Sequence, residues 1–252
     1  MEFEQLSMFQ ETGFKMKKVK PMKILVACEE SQAVCKELRK LGHEAYSADI
    51  QTCSGNHPEW HILGDVIPLI NGDCKFTTMD GVEHEIIGEW DMLIAHPPCT
   101  YLTVTGNRWF NVEKYGEKAI ERIENRNKAA EFFMCFANAN CKKIVIENPV
   151  GYMGTYYRKC DQTIQPYYFG DAFEKLTCLW IKGLQKLRPT NIVNPQDRVV
   201  FKSGKSMPKW YSDAFRLNKN ERSKLRSKTF PGIAKAMAEQ WAGDARDYVE
   251  DK

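Results

Sequence analysis

The sequence lacks the features that mark a membrane-spanning or an exported protein. None of its apolar runs approaches the roughly 20 residues that a membrane-spanning helix needs. Residues 1–21 are acidic and then basic, without the apolar block of a signal peptide. We therefore expect a cytoplasmic protein with no membrane partner, in which residues 1–21 form a flexible extension before a core that begins at Met22.

The nine cysteines are odd in number and contain no Cys-x-x-Cys pair. Zinc sites and disulfide scaffolds typically use cysteines in pairs at short, regular spacing. This pattern disfavours both kinds of site and fits a reducing compartment. We therefore expect no bound metal.

The chain begins with the pattern of a βαβ unit. Residues 23–28 form an apolar run typical of a buried strand, residues 30–41 have helical apolar spacing, and residues 43–49 predict a second strand. Such units build parallel sheets through right-handed crossovers, so we expect an α/β fold. Asp49 ends the second strand, where an acid often binds ribose hydroxyls; an exposed aspartate without a ligand is the alternative.

The turn after the first strand has no G-x-G-x-x-G sequence. A dinucleotide pyrophosphate needs those glycines for close backbone approach, and acidic side chains there repel phosphate. Glu29 and Glu30 in this turn suit a cationic sulfonium with an amino-acid tail better. The alternative is that both glutamates only stabilise the N terminus of the following helix.

Two predicted strands end abruptly in chemically active side chains. The apolar run 92–95 is followed by Pro97-Pro98-Cys99, and the run 144–146 is followed by Glu147-Asn148-Pro149. Proline cannot continue a strand ladder, so both strands stop there. Ligands bind at the carboxyl ends of strands in open α/β sheets, which places Cys99 as a nucleophile beside the Glu147 carboxylate. The alternatives are a packing cysteine and a salt-bridged surface acid.

The segments around these strand ends have distinct patterns. Residues 75–88 predict a hairpin with its turn at Asp80-Gly81. Residues 101–110, rich in threonine, glycine and aromatic residues, suit a mobile loop that closes over a substrate. Residues 113–139 predict one long helix whose apolar stripe begins at Ile120 and packs on the core.

Four short motifs follow one another in a fixed order: Pro97-Pro98-Cys99, Glu147-Asn148-Pro149, QPYYFG at 165–170 and TFPGIA at 229–234. From Met22 to Gly243 this ordered set resembles the cytosine-C5 DNA methyltransferase family, in particular its compact phage-type members. The resemblance implies a Rossmann-like S-adenosylmethionine-dependent methyltransferase fold: a mostly parallel sheet with helices on both faces, plus a small basic lobe. It also implies a DNA partner, a bacterial or phage-infected host cell and a setting such as restriction-modification.

The resemblance assigns catalytic roles to four residues. Cys99 adds to carbon 6 of cytosine, Glu147 holds ring N3 and the amino group, and Asn148 orders the Cys99 loop. Lys175 stands where the family has the first arginine of a Gln-x-Arg-x-Arg motif, and Thr177 stands where it has the second. Lysine cannot reproduce the bidentate contact of a guanidinium, so the chain departs from the family here.

The cofactor that the resemblance implies is S-adenosylmethionine. A Gly-Asp pair that contacts its adenine in the family corresponds to Gly64-Asp65 here, whereas the family's glycine-rich Phe-x-Gly-x-Gly turn is missing at residues 28–32. The candidate cofactor-binding residues are Cys28, Glu29, Ser31, Asp49, Asp65 and Pro97.

The segment 182–228 carries thirteen basic and three acidic residues, a net charge of +10, whereas the whole chain carries +3. Aromatic side chains are interleaved with the basic ones, as is typical of surfaces that contact nucleic acids. We expect a monomer with a catalytic core over 22–181, a small basic recognition lobe over 182–228 and a C-terminal helix over 229–252 that returns to the core. The candidate DNA-binding residues are Arg108, Trp109, Lys202, Lys205, Lys209 and Arg222.

Three other functions stay open at the level of sequence. His96-Pro97-Pro98-Cys99 also resembles the Pro-Pro signature of exocyclic amino-group methyltransferases, acting on N4 of cytosine or N6 of adenine. In those enzymes an aromatic residue follows the prolines and no thiol is needed. A second alternative is a free cytosine nucleotide as substrate, which is compatible with the short basic lobe. A third is a catalytically inactive DNA-binding homologue, which is compatible with the missing glycines at 28–32. We interpret His96 as structural.

Overall fold

The computed structural model describes residues 16–248. Its strands are β1 (Lys23–Ala27), β2 (Glu44–Asp49), β3 (His61–Leu63), β4 (Cys74–Thr77), β5 (Glu83–Ile86), β6 (Met92–Ala95), β7 (Ile144–Pro149), β8 (Gln162–Ile164), β9 (Thr177–Lys182), β10 (Arg198–Val200) and β11 (Ser206–Pro208). Seven of them form a central sheet in the order β3-β2-β1-β6-β7-β9-β8. The pairs β4-β5 and β10-β11 form two small antiparallel sheets.

The α-helices are α1 (Ala33–Lys40), α2 (Val112–Tyr115), α3 (Glu117–Ala137), α4 (Met153–Tyr156), α5 (Lys209–Asp213), α6 (Lys219–Ser227) and α7 (Pro231–Met237). A 3-10 helix covers Val104–Phe110, and α7 continues as one turn of π-helix over Ala238–Ala242. No helix among residues 16–248 has the length and apolar character that crossing a membrane requires.

The central sheet is mostly parallel, as the βαβ opening predicts. Strands β3, β2, β1, β6 and β7 run parallel to one another, and β9 is antiparallel to both β7 and β8. The prediction of an α/β fold with a mostly parallel sheet is therefore confirmed. The chain moves outward from β1 in one direction through β2 and in the other through β6, so β1 and β6 flank a topological switch point. Open α/β sheets bind ligands in the crevice at such a point.

Side chains alternate across the sheet and supply two separate cores. Ile24 and Val26 of β1 pack on one face with Leu38 of α1 and Met237 of α7. Leu25, the β1 residue between them, packs on the opposite face within a cluster that includes Phe133 and Phe136 of α3. Because both faces are covered, the central strands are continuously apolar, and only their ends present polar groups.

The long helix predicted over residues 113–139 is divided at Gly116, which has a positive φ of 53°. A Cβ in that backbone region is disfavoured, so glycine permits the break between α2 and α3. On α3, Ile120 is 48% exposed, whereas Ala119 and Phe133 are fully buried. The prediction that Ile120 belongs to the buried stripe is therefore wrong.

The predicted hairpin is confirmed as β4 and β5, with Gly81 at positive φ.

The ends of the described chain pack together. Asp244 accepts a hydrogen bond from the Val19 backbone at 3.0 Å and pairs with the Lys18 ammonium at 3.0 Å. The boundary predicted at residue 21 therefore does not separate 16–21 from the core. The rest of the predicted extension, residues 1–15, lies outside the described residues, as do residues 249–252 of the predicted C-terminal segment.

The basic segment does not form one separate lobe from residue 182 onward. Leu187 is buried in the core, and its backbone N–H and C=O both bond to the side chain of Gln162. The part over residues 198–228, which we call the basic lobe, docks through Trp210. Its indole donates to the Glu174 carbonyl at 3.1 Å, and its ring meets Phe173 and Phe230 edge to face.

Candidate active site

The candidate site lies where β6 ends beside β7, which continues to Pro149. The two strands are parallel and in register, with Ala95 opposite Ile146. The next residues along each chain are His96 and Glu147, and the His96 Nδ1 lies 3.1 Å from a Glu147 carboxylate oxygen. Strand register therefore brings Glu147 beside His96, three residues before Cys99, the residue with which Glu147 is predicted to act.

Asn148 fastens the Cys99 loop to the end of β7. It is buried, and its side-chain amide donates to the carbonyl of Pro97 at 2.7 Å. The Asn148 Oδ1 and the His96 Nε2 are both buried without a hydrogen-bond partner. Buried polar atoms of this kind are rare in folded proteins, because each costs free energy until it is paired. These two atoms leave two hydrogen-bonding positions at this strand edge without a partner from the described residues of the protein.

Cys99 is half-buried and lies within the electrostatic reach of Glu147. Burial raises the pKa of its thiol, the Glu147 charge raises the pKa further, and the Lys175 ammonium opposes both. Its carbonyl accepts backbone hydrogen bonds from Leu102 and Thr103 at 3.0 and 3.1 Å. The thiol is therefore held on a tight turn and is protonated at neutral pH in the free protein.

Glu147 is a charged group in a largely buried place. Burial by itself raises the pKa of its carboxyl, but the hydrogen bond from His96 and the charge of Lys175 outweigh that effect, so the net pKa lies below its ordinary value. The neighbouring Thr177 lowers the pKa of the carboxyl further. Glu147 is therefore ionised at neutral pH and ready to accept hydrogen bonds.

Lys175 reaches this site from the segment before β9. Its charge acts on both Cys99 and Glu147, and its ammonium donates to the Lys228 carbonyl at 3.2 Å. The backbone N–H of Lys175 bonds to the Gln165 side chain at 2.8 Å. Lys175 and Thr177 thus occupy the positions where the sequence predicts the base-positioning residues.

The turn after β1 provides the neighbouring side of the crevice. Cys28 and Gln32 adopt left-handed backbone conformations, with φ of 59° and 56°. Glycine is usual at such positions. The Gln32 side chain is fully buried and bonds to the Ser47 hydroxyl and to the backbone of His57. The turn is therefore ordered by these contacts instead of by glycines.

Glu29 and Glu30 differ in this turn. The Glu29 carboxylate is buried and accepts hydrogen bonds from the backbone N–H groups of Val34 and Cys35 at 2.6 and 3.2 Å. It caps the N terminus of α1, as the alternative interpretation has it. Burial raises the pKa of the Glu29 carboxyl, and the electrostatic effect of the neighbouring His96 opposes this increase only in part. Glu30 is half-buried, and its carboxylate is the one available to a ligand.

Asp49, Asp65 and Cys28 lie at the adjoining ends of β2, β3 and β1. Burial raises the pKa of the Cys28 thiol strongly, and the charges of Asp49 and Asp65 raise it further. Ile50, directly after Asp49, is 80% exposed. The crevice edge therefore combines two carboxylates with an exposed apolar side chain. Ser31 is half-buried in the turn, and Pro97 is buried beneath the Cys99 loop.

The candidate DNA-binding residues are spread over two surfaces. Arg108 and Trp109 lie together on the 3-10 helix after Cys99, with the guanidinium 4.6 Å from the indole centre. Lys202 and Lys205 are exposed in the turn of the basic lobe. Lys209 pairs with Asp213 at 2.6 Å on the same lobe. Arg222, also in the lobe, stacks 5.9 Å from Phe215.

Three residues of the site region were not identified as functional from the sequence. His96 was interpreted as structural, and Arg122 and Arg126 were not singled out. The contact of His96 with Glu147 depends on strand register, although the position of both residues just after an apolar strand was a usable signal. The two arginines stand four positions apart on α3, a spacing that places them on one helix face.

Among residues 16–248, no group of three or more His, Cys, Asp or Glu side chains is arranged to hold a metal ion. Neither a protein-family model nor a curated protein sequence matches the chain.

Proposed function

We propose that the protein is a DNA cytosine-5 methyltransferase that uses S-adenosylmethionine and a covalent bond to Cys99. The observation that carries this proposal is the register of β6 and β7, which gathers His96, Cys99, Glu147 and Asn148 at one strand edge. A thiol and an ionised carboxylate at that edge have the two functions that activation of a cytosine ring needs. The sheet fits the Rossmann-like methyltransferase fold that the sequence resemblance implies.

The residues at the ends of β1, β2 and β3 fit S-adenosylmethionine. Its ribose hydroxyls and adenine amino group are hydrogen-bond donors, which match the carboxylates of Asp49 and Asp65. The exposed side chain of Ile50 offers an apolar surface beside them. Acidic groups also attract a sulfonium cation, whereas they repel a phosphate. When bound, this cofactor supplies an electrophilic methyl group to the activated carbon 5 of cytosine.

The residues of the chain activate the ring as follows. The Cys99 sulfur adds to carbon 6, and the electrons of the double bond move toward carbon 5 and the ring nitrogen N3. Glu147, whose charge acts on the thiol, accepts the thiol proton and delivers it to N3 as negative charge develops there. After carbon 5 has gained the methyl group, a base removes the carbon-5 proton, the bond between Cys99 and carbon 6 breaks, and the N3 proton returns through Glu147 to the released thiolate. His96 holds the Glu147 carboxyl in position through its Nδ1 hydrogen bond. Lys175 stabilises the thiolate, since its charge lowers the pKa of Cys99.

The target base must leave the helical stack before it reaches this edge, at a cost of a few kcal/mol in duplex DNA. The buried and unpartnered atoms, Asn148 Oδ1 and His96 Nε2, then gain polar partners from the bound base or its ordered water. Exposed cations of the basic lobe provide general attraction for the phosphate backbone.

Methyl transfer from labelled S-adenosylmethionine to DNA tests this proposal. We expect label in 5-methylcytosine after nucleoside analysis and no label with Cys99→Ser, whereas Cys53→Ser, on an exposed loop, keeps its activity. Label in N4-methylcytosine or N6-methyladenine supports the amino-methylating alternative. Substantial activity of Cys99→Ser contradicts the thiol mechanism, and binding of DNA without any transfer supports the inactive homologue.

A further inference from the structure

Two arginines beside the Cys99 loop have no counter-charge. Arg122 and Arg126 stand one turn apart on the same face of α3, and like charges at this spacing repel each other. Neither forms an ion pair with a carboxylate among residues 16–248, and the Nε of each is buried without a hydrogen-bond partner. The only hydrogen bond of either guanidinium in that part of the chain is a long one, 3.4 Å, from Arg122 to the Thr100 carbonyl.

Aromatic rings hold both guanidiniums in place. The Arg126 guanidinium lies 3.8 Å from the centre of the Phe110 ring and 4.4 Å from that of Tyr152. The Arg122 guanidinium lies 4.9 Å from Phe110 and 5.1 Å from Tyr101. Stacking of this kind uses the faces of a guanidinium and leaves its N–H edges to bind an anion.

The aromatic partners come from both catalytic strand ends. Tyr101 and Phe110 follow Cys99, and Tyr152 follows Glu147. The two extensions are tied together, because the Tyr152 backbone N–H donates to the Leu102 carbonyl at 2.7 Å. The arginines therefore lie at a fixed place relative to the residues that hold the base.

A cavity of about 450 Å³ opens at this place. Its lining includes Arg122, Lys118 and Glu121 together with the rings of Tyr101, Trp109 and Tyr115, and Arg126 stands one helical turn from Arg122, outside this lining. This volume falls within the usual range of about 300–1,000 Å³ for ligand sites. Aromatic faces that flank a fixed cation suit a nucleotide, whose phosphate pairs with a guanidinium and whose neighbouring base stacks on a ring.

We propose that Arg122 and Arg126 bind the phosphate ester attached to the target cytosine nucleoside, with the DNA strand as its source. This inference rests on the proposed function for the identity of the base. It adds a phosphate site next to the Cys99 loop, separate from the basic lobe.

Binding of the full-length protein to a short single-stranded oligonucleotide with one cytosine tests the site without requiring catalysis. One probe carries an uncharged methylphosphonate on either side of the cytosine, and a control probe carries it several nucleotides away. For wild-type protein we expect the adjacent replacement to weaken binding about 10- to 100-fold, as for loss of charged hydrogen bonds, and the distant one to have little effect. Equal effects of the two replacements overturn the proposal.

Paired variants locate the effect on the protein. Arg122→Gln/Arg126→Gln should weaken binding of the unmodified oligonucleotide by a similar factor and lose sensitivity to the adjacent methylphosphonate. Lys75→Gln/Lys128→Gln removes the same charge from exposed positions outside the cavity lining and should preserve both properties. If the two pairs behave alike, the arginines are not the phosphate site.

A milder variant shifts Arg122 without removing any charge. A Cβ at Gly106 lies 2.5 Å from the Arg122 guanidinium, the movable end of a side chain, so Gly106→Ala should fold and still weaken binding. Gly154→Ala adds a Cβ in open space and should bind as wild type. Wild-type affinity in Gly106→Ala counts against the site.

Free nucleotides distinguish the source of the phosphate. If deoxycytidine monophosphate displaces the oligonucleotide at lower concentration than deoxycytidine, and the arginine pair abolishes that difference, the phosphate site is supported. Binding of the monophosphate but not of the oligonucleotide makes the free nucleotide the source. Binding of neither overturns the proposal. If the binding results are as expected but no methyl group is transferred, the phosphate site at Arg122 and Arg126 is supported. That outcome contradicts only the proposed methyltransferase function.

Discussion

At the scale of single residues, the protonation of Glu147 is set by competing neighbours. Burial raises the pKa of its carboxyl, and His96 and Lys175 lower it enough that the net pKa falls below the ordinary value of 4.5. A carboxyl with a lowered pKa in the folded state adds stability at pH values above its unfolded pKa. That contribution is lost as the pH falls through the folded-state pKa.

This linkage makes a prediction for Glu147→Gln, which resembles the protonated carboxyl. At pH 7 we expect the variant to be less stable than wild type by about 1–3 kcal/mol, since it loses a charged hydrogen bond in a buried place. The difference should shrink as the pH falls from 4.5 toward the lowered folded-state pKa, because the unfolded carboxyl protonates first and native Glu147 protonates only at lower pH. Urea denaturation of both proteins at several pH values measures this difference in the free energy of unfolding.

Glu59→Gln is the matched control for this measurement. Glu59 also pairs with a histidine, His57, at 2.8 Å, but both side chains are exposed to solvent. Exposed pairs contribute little, so we expect a change within about 0.5 kcal/mol. A stability loss in Glu147→Gln that is the same at pH 4 and at pH 7 would contradict the assignment of an ionised Glu147.

At the scale of structural elements, the Cys99 loop and the segment after β7 are held together by close backbone contact. A Cβ at Gly151 lies 1.9 Å from the Leu102 carbonyl oxygen, so only glycine fits there. Thr103 and Gly151 also form a bridge between the two segments. The loop that carries the nucleophile is therefore positioned by the strand that carries the carboxylate.

Gly151→Ala should separate these segments. We expect a stability loss of about 2 kcal/mol, within the usual range for a strained substitution, and faster alkylation of Cys99, followed by mass spectrometry of its peptide. Gly154→Ala, three residues later in open space, should change neither property. Unchanged alkylation in a destabilised Gly151→Ala protein would show that this contact does not order the loop.

The positions of strands along the chain were predictable from the sequence. Which strands lie side by side in the sheet was not. Met92–Ala95 has the predicted bounds because prolines end the apolar run, and the hairpin at Asp80-Gly81 follows from its turn residues. The insertion of β9 between β7 and β8 depends on contacts remote in sequence. The left-handed conformations of Cys28 and Gln32 were equally hidden, because buried side-chain contacts there replace the usual preference for glycine.

The site was predictable in part for the same reason. Cys99 and Glu147 follow apolar strands and are flanked by prolines, and the structure brings their strand ends together. The pairing of His96 with Glu147 required the register of two parallel strands. Ile120 was misplaced because it lies about 140° around α3 from the buried Phe133, whereas Ala119 lies only about 40° from it at 3.6 residues per turn.

At the scale of the whole molecule, the charge is unevenly distributed. The basic segment carries +10 within a chain of net charge +3, and the basic lobe docks on the core through Trp210. Lys202 and Lys205 are exposed in the turn of that lobe. Charge of this kind attracts phosphate groups of any sequence and makes the affinity depend on salt.

Lys202→Gln/Lys205→Gln should therefore weaken DNA binding equally for different sequences. We expect the slope of log affinity against log salt concentration to fall by about 1 for each lysine that contacts a phosphate. Lys40→Gln/Lys75→Gln removes two exposed lysines outside the lobe and should leave the slope unchanged. Equal slopes for the two pairs, measured by fluorescence anisotropy, would remove the lobe from the DNA-binding surface.

Covalent trapping tests the central claim, that Cys99 attacks a cytosine held by Glu147, most directly. The protein is incubated with S-adenosylmethionine and an oligonucleotide that contains 5-fluorocytosine, in which fluorine replaces the proton that must leave carbon 5. We predict a denaturant-resistant adduct whose mass locates the bond at Cys99, no adduct with Cys99→Ser and a much slower reaction with Glu147→Gln. An adduct at a residue other than Cys99 would contradict the account. So would the absence of any adduct, if the protein binds the oligonucleotide and methylates cytosine in its unfluorinated form.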